Sequence, residues 1–148
     1  MTGADPLAEL SQRLGHAFAD PRLLEDALTH SSYANEHPPA GANEGLALLG
    51  DAALALVVAE HLLEVMPDAP VGVLTPSRAA LVSGTNLARW AGELGLGELV
   101  RLGRGEEQTG GRARESVLAT ALEAVLGAVY LEGGVPAVRR IVARLALW

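Results

Sequence analysis

Residues 44–65 read EGLALLGDAALALVVAEHLLEV, and this stretch decides the fold. It holds no proline and is far too long for a strand, so it reads as one long helix, with Asn43 as its N-cap and Pro67, Pro70 and Gly72 breaking it. Positions 44, 47 and 51 share a face because steps of three and four residues return close to a full turn. They hold Glu44, Ala47 and Asp51, and the same face continues as Leu54, Ala55 and Val58. That continuation predicts Asp51 at the edge of the core or inside it. Glu44 suits the positive end of the helix dipole, but Asp51 lies two turns in and needs another partner.

Outward from this helix, cap and breaker residues mark the others. Asp5 and Pro6 open a helix to Leu14, ended by Gly15, and Asp20 and Pro21 open a second that runs to about His30. Residues 31–41, with Pro38 and Pro39, read as a loop. Thr75 and Pro76 start a helix to about Leu94, where Gly95 and Gly97 stop it. A glycine-rich polar stretch, Leu99 to Gly111, leads into a helix from Arg112 to Glu132. Gly133 and Gly134 end that helix, and Pro136 opens a last one from Ala137 to about Leu147. No window alternates long enough to argue a strand. The expectation is an all-α fold of six to eight helices, a single domain over residues 1–148.

Composition narrows the function. With 148 residues and 49% apolar content the chain can bury an ordinary core. The absence of cysteine excludes disulfides, thiolate metal sites and a cysteine nucleophile, and Met1 to Leu10 lack the basic start and apolar run of a secretory signal, so the cytoplasm is expected. Asp51, Glu60 and His61 interrupt the longest apolar run, Leu46 to Leu63, which argues against a membrane span. A net charge of −7 means that any nucleic-acid contact must be a local basic patch. All eleven basic residues are arginine, which suits phosphate contacts but equally fits a compositional bias.

The helix from Arg112 places Ser116, Thr120, Glu123 and Gly127 on one stripe, opposite Leu118, Leu122, Val125 and Val129. Glu123 is the lone carboxylate of a small, polar stripe. Asp51 and Glu123, meeting from two helices, could hold a divalent cation, since magnesium accepts one or two protein carboxylates and completes its shell with water and phosphate oxygens. The competing reading is an Asp51 paired with an arginine or satisfied by backbone donors.

Residues 43–51, NEGLALLGD, resemble the ribonuclease III signature, usually NERLEFLGD. Further matches follow in the family's order: ALTHSS at 27–32, SRAALV at 77–82, LGRGEE at 102–107, Gly110-Gly111, SVLA at 116–119, EAVLGAVYL at 123–131 and Gly133-Gly134. The resemblance spans roughly Leu7 to Ile141. It implies a ribonuclease III-type endonuclease domain, an all-helical homodimer that cuts double-stranded RNA with four carboxylates per subunit, which bind magnesium, activate water and stabilise the leaving oxygen. Most bacterial members continue into a double-stranded-RNA-binding domain; none is expected within this chain.

Position by position, the resemblance assigns catalytic and metal-binding roles to Asp51 and Glu123 and retains Glu44 as an additional donor candidate. It also shows two losses. Ala47 stands where the signature has its second glutamate, and Thr120 where the family has an aspartate. Gly45 replaces an arginine, Leu48 the phenylalanine that packs across the dimer interface, and Val71 a glutamate. Alanine offers no oxygen ligand and threonine only a neutral one, and one such electrostatic contact is worth roughly 3 kcal/mol, or about a hundredfold in rate. The expectation is therefore a protein acting on double-stranded or structured RNA with cleavage lost or strongly impaired, its Mg2+ or Mn2+ weakly bound or absent. The alternatives are an active Mg- or Mn-dependent endonuclease and a non-catalytic structural or heterodimer partner. Arg101, Arg104, Arg112 and Arg114 are the candidate RNA contacts, balanced by Glu106, Glu107 and Glu115. His30 fits a cap or core position better than an acid–base role.

Overall fold

Asp5 accepts the Leu7 N–H at 3.0 Å and opens α1 (Pro6–Leu14), which Gly15 closes at a left-handed φ of 76°. The computed structural model describes residues 5–148, and α-helices supply nearly all of their regular structure. Asp20 accepts the Arg22 N–H and starts α2 (Pro21–Ala27). This helix stops short of His30 because the chain is drawn into a short bridge between Thr29 and Arg101. There the His30 N–H donates to the Arg101 carbonyl at 3.0 Å and the Arg101 N–H to the Leu28 carbonyl at 2.7 Å.

The expected loop after it contains α3 (Ser31–Glu36), capped by His30, whose Nδ1 accepts the Ser32 N–H at 3.1 Å. Asn43 precedes α4 (Glu44–Val65), yet its side chain does not cap it. The buried amide donates instead to the Ala27 carbonyl at 3.0 Å, tying the end of α2 to the start of α4.

The helix expected from Thr75 to Leu94 is two. α5 (Val71–Leu81) begins after Pro70 and carries Pro76 in its interior, and α6 (Gly84–Glu93) is capped by Ser83, whose Oγ accepts the Asn86 N–H at 3.2 Å. Two short helices follow in the glycine-rich region, α7 (Leu96–Leu99) and α8 (Arg104–Gln108), and then a 3-10 turn at Gly111–Ala113. α9 (Glu115–Ala146) is broken at Gly134 (φ 66°, ψ −165°), so the stop at the glycine pair and the restart at Pro136 both occur, end to end. The described residues thus form nine α-helices. The surplus over the expected six to eight consists of helices of four to six residues, too short to leave an apolar period in the sequence.

α4 and α9 cross at the centre. A Cβ on Gly50 would run into the Glu123 carbonyl and lie 2.8 Å from the Gly127 nitrogen. A Cβ on Gly127 would run into the Leu46 carbonyl and lie 3.1 Å from the Gly50 nitrogen. The core gathers around this crossing: Leu54, Val57 and Val58 of α4, Leu122, Val125 and Leu126 of α9, and Leu87 and Trp90 of α6. Both long helices are apolar enough in composition to cross a membrane, but they bury these faces against each other and their neighbours.

The buried face of α4 runs through Gly50, Ala53, Leu54, Val57 and Val58. Asp51 lies beside that face and is solvent-exposed, so of the two expected places, at the edge of the core or inside it, the inside one is excluded. One tie had no sequence signal. Glu132, just before the break in α9, accepts the N–H groups of Ala19 (3.0 Å) and Asp20 (2.8 Å) and pairs with His16 Nε2 (2.9 Å). Burial alone would raise the Glu132 pKa. The Asp20 N–H, the His16 ring and the Ala19 N–H outweigh it and hold the carboxyl below its ordinary value.

Because rigid backbone faces each missing side chain, Gly50→Ala and Gly127→Ala should each destabilise the domain by about 3 kcal/mol or more, at the upper end of overpacking costs. Chemical denaturation of each variant against the parent measures this, and a cost under about 1 kcal/mol would show that the crossing yields.

Candidate active site

The glycine crossing determines where the acids go. Gly50 is followed at once by Asp51, and its contact on α9 is the backbone of Glu123. The two carboxyl groups, far apart in sequence, therefore come within hydrogen-bonding reach of each other. Asp51 is exposed and Glu123 half-buried. Burial first, and then the hydrogen bond and negative charge of Asp51, push the Glu123 pKa up to about 8. Two anions crowded in this way retain a proton that water would otherwise take. No arginine forms an ion pair with Asp51 among the described residues, so the arginine-paired reading fails and the partner of Asp51 is a second acid.

Ala47 lies one turn before Asp51 on α4 and is only 8% exposed. Thr120 lies one turn before Glu123 on α9 and lines a cleft of about 350 Å³ with His30, Ser31, Asn43, Glu44, Ser116 and Val117. One side of the site is thus a carboxylate pair and the other a largely neutral, hydroxyl-rich cleft with the single acid Glu44. No three acidic or histidine side chains converge to form a metal cage among the described residues. The donor set accordingly fits one divalent cation on Asp51 and Glu123, with water completing the shell, and does not fit a two-cation arrangement. His30 faces this cleft as a neutral cap. Burial lowers its pKa, with Glu44 working against that shift and Arg114 with it.

The candidate RNA-contacting arginines lie around α8 and the 3-10 turn, and three of the four are spent on the protein itself. Arg101 Nε donates to Thr29 Oγ1 at 3.0 Å. Arg112 donates to the carbonyls of Val100 (2.7 Å) and Gly97 (3.1 Å) and to Glu107 (2.8 Å). Arg114 pairs with Glu106 and donates to the Thr109 carbonyl at 2.9 Å. Only Arg104, which is exposed, has no side-chain partner among the described contacts. Sequence reasoning missed this division of labour because carbonyl acceptors carry no sequence signature. It also missed Ser31, which enters the cleft through the short α3.

The ribonuclease-III-like family model matches residues 20–147. "Ribonuclease 3" of Symbiobacterium thermophilum is 52% identical over 134 residues, covering 90% of this chain and 57% of that protein. "Ribonuclease 3" of Syntrophobacter fumaroxidans is 46% identical over 147 residues, covering 98% of this chain and 61% of that protein. The chain therefore spans about three-fifths of the length of these relatives. Among solved structures, the nuclease domain of ribonuclease III from Campylobacter jejuni, described with structural flexibility in a region involved in dimer formation, superposes with a TM-score of 0.88 at 40% identity, covering 94% of each chain. The helix order, the glycine crossing with its acid pair and these matches agree that the chain belongs to the ribonuclease-III-like family.

Proposed function

We propose that this chain is a ribonuclease III-like protein that engages double-stranded or structured RNA as a dimer, with cleavage lost or strongly impaired. The observation that carries this reading is the half-acidic site: Asp51 and Glu123 meet, while the positions one turn before each hold Ala47 and Thr120. Asp51 and Glu123 would hold a divalent cation, which when bound would polarise a phosphoryl oxygen as a Lewis acid. In its absence the pair holds a proton. Cation binding must displace that proton, which weakens the affinity of a two-carboxylate site further near neutral pH.

An active endonuclease is the second reading, favoured by relatives at 46–52% identity that carry the name Ribonuclease 3. For the dimer, α4 presents Leu48, Leu56 and Leu63 at 75%, 54% and 58% exposure, and α5 adds the exposed Val73 and Val71, the latter lining a groove with Leu63. An apolar stripe of that extent marks an interaction surface, and its position on the helix that carries Asp51 would bring the two sites of a symmetric pair onto one assembly.

Incubation with a long RNA duplex in Mg2+ and in Mn2+ tests the main reading. Salt-dependent binding without cleavage is expected; discrete cleavage that disappears in Glu123→Ala would establish the endonuclease instead. The double substitution Ala47→Glu with Thr120→Asp should raise cleavage by on the order of a hundredfold or more, since each restored acid adds one strong electrostatic contact. If the restored protein cuts no faster than the parent, those two positions are not what limits the chemistry.

Leu48→Asp should convert the dimer to monomer in sedimentation velocity, and a monomeric parent would remove the dimer from the proposal.

Without divalent cations, stability should fall as pH rises. The folded Glu123 keeps its proton up to about 8, whereas the ordinary value is 4.5, so the contribution is complete below 4.5 and is lost as pH climbs to about 8. Thermal melts in EDTA across this range should show that decline, and Asp51→Asn should flatten it; an unchanged slope in the variant would show that the acid pair is not its source.

A further inference from the structure

At the far end of α3 from the acid pair, the chain builds a stack that neither the site nor the core uses. Tyr33 and His37 are four residues apart on one helix face, and their rings stack at 4.0 Å with planes 15° apart. The Arg101 guanidinium sits over the Tyr33 ring at 4.8 Å from its centre, a cation–π contact that anchors the inner end of the stack. His37 Nδ1 is within 3.1 Å of the Tyr33 carbonyl, and as the donor there it fixes the orientation of the ring. One face of His37 is covered by Tyr33, and the residue is nonetheless exposed, so its other face is the open end of the stack.

That open ring lines a cleft of about 630 Å³ with Glu36, Leu102, Arg104, Glu107 and Arg112. Its chemistry is mixed. Arg104 is exposed, and its guanidinium has no partner among the described contacts. Glu36 holds the Arg104 N–H through one oxygen at 2.8 Å and Glu107 holds Arg112 through one oxygen at 2.8 Å, and each keeps a second oxygen as a free acceptor. A preorganised aromatic face, an unpaired guanidinium and carboxylate acceptors together suit one kind of ligand: a planar base that carries amino hydrogens and a phosphate. Nucleobases stack on histidine as on other aromatics, arginine takes phosphate, and carboxylates accept from exocyclic amino groups.

We propose that this cleft is a nucleotide subsite, in which the open face of His37 stacks an unpaired amino-bearing base and Arg104 holds its phosphate. α3 joins it to the cleft beside Thr120, since His30 and Ser31 at its start line that cleft and His37 follows its last residue. Six residues at about 1.5 Å each separate the two by roughly 9 Å. A nucleotide flipped or frayed from an RNA strand held in the cleft beside Thr120 is thus within reach. The RNA source of the ligand rests on the reading of this chain as an RNA-binding protein; the subsite itself does not.

Two arms test it. In the first, 5′-AMP is titrated into the 15N-labelled protein. Shifts clustered at Tyr33, His37 and Arg104, weaker with UMP and abolished by His37→Ala, are expected. In the second, a blunt RNA duplex is compared by anisotropy with the same duplex carrying two unpaired 3′ adenosines. The overhang should bind about tenfold tighter, as a single stacked base allows. His37→Ala and Arg104→Ala should erase that gain, and His37→Trp should keep it. Shifts with AMP but no overhang gain assign the subsite to a free nucleotide, and both together assign it to an RNA base. Absence of both overturns the proposal, as does a gain or a shift pattern that survives His37→Ala. If the blunt duplex does not bind at all, the RNA reading fails and the AMP arm alone decides the subsite.

Discussion

The meeting of α4 and α9 at Gly50 and Gly127 is a constraint on which the rest depends. Helices ordinarily pack with their axes about 8–10 Å apart because side chains hold them off. Here each helix lacks a side chain where the other's carbonyl passes, so backbone faces backbone. That contact sets the register of the two helices along each other to within a residue. Everything attached to them inherits that register, including the acid pair, the threonine and alanine beside it, and the apolar layer of Leu54, Val57, Leu122 and Val125 that seals the crossing from below.

The electrostatics of the site follow from the same geometry. Asp51 is at the rim of α4 and remains in water, whereas Glu123 is half-covered and faces a neighbouring charge of its own sign. The two acids crowd each other, and Ala47 and Thr120 add no further carboxylate beside them. A chain of net charge −7 repels a polyanion on average. Its arginines answer this only in part, since Arg101, Arg112 and Arg114 brace the segments around α8 through carbonyl and carboxylate acceptors. What they provide is a rigid frame, on which Arg104 and the Tyr33–His37 stack are left facing outward.

Much of this was legible beforehand. The long helix over residues 44–65, the caps at Asp5 and Asp20 and the stops at Gly15 and the Gly133-Gly134 pair rest on local rules of period and capping, and the structure agrees with each, whereas the meeting of Asp51 with Glu123 was one of two open readings and depends on the crossing of α4 and α9. The misreadings have two causes. α2 ends early because Thr29 is drawn to Arg101, Asn43 turns away from its own helix to hold α2, and α3, α7 and α8 are too short to show a period. In the first two, a partner distant along the chain overrides the local preference; in the third, the elements leave no local signal to read.

Sequence alone therefore determined the helical class, the order of the elements, the family resemblance and the identity of the two acids, because these depend on residue type and spacing along one chain. Only the tertiary structure decided that Asp51 is exposed while Glu123 is half-buried, that three of four arginines are already bound, and that Tyr33 and His37 form a stack with a free face. Burial and hydrogen bonding belong to the space between elements. They are settled by how closely Gly50 and Gly127 let two helices approach, which no spacing within either helix encodes.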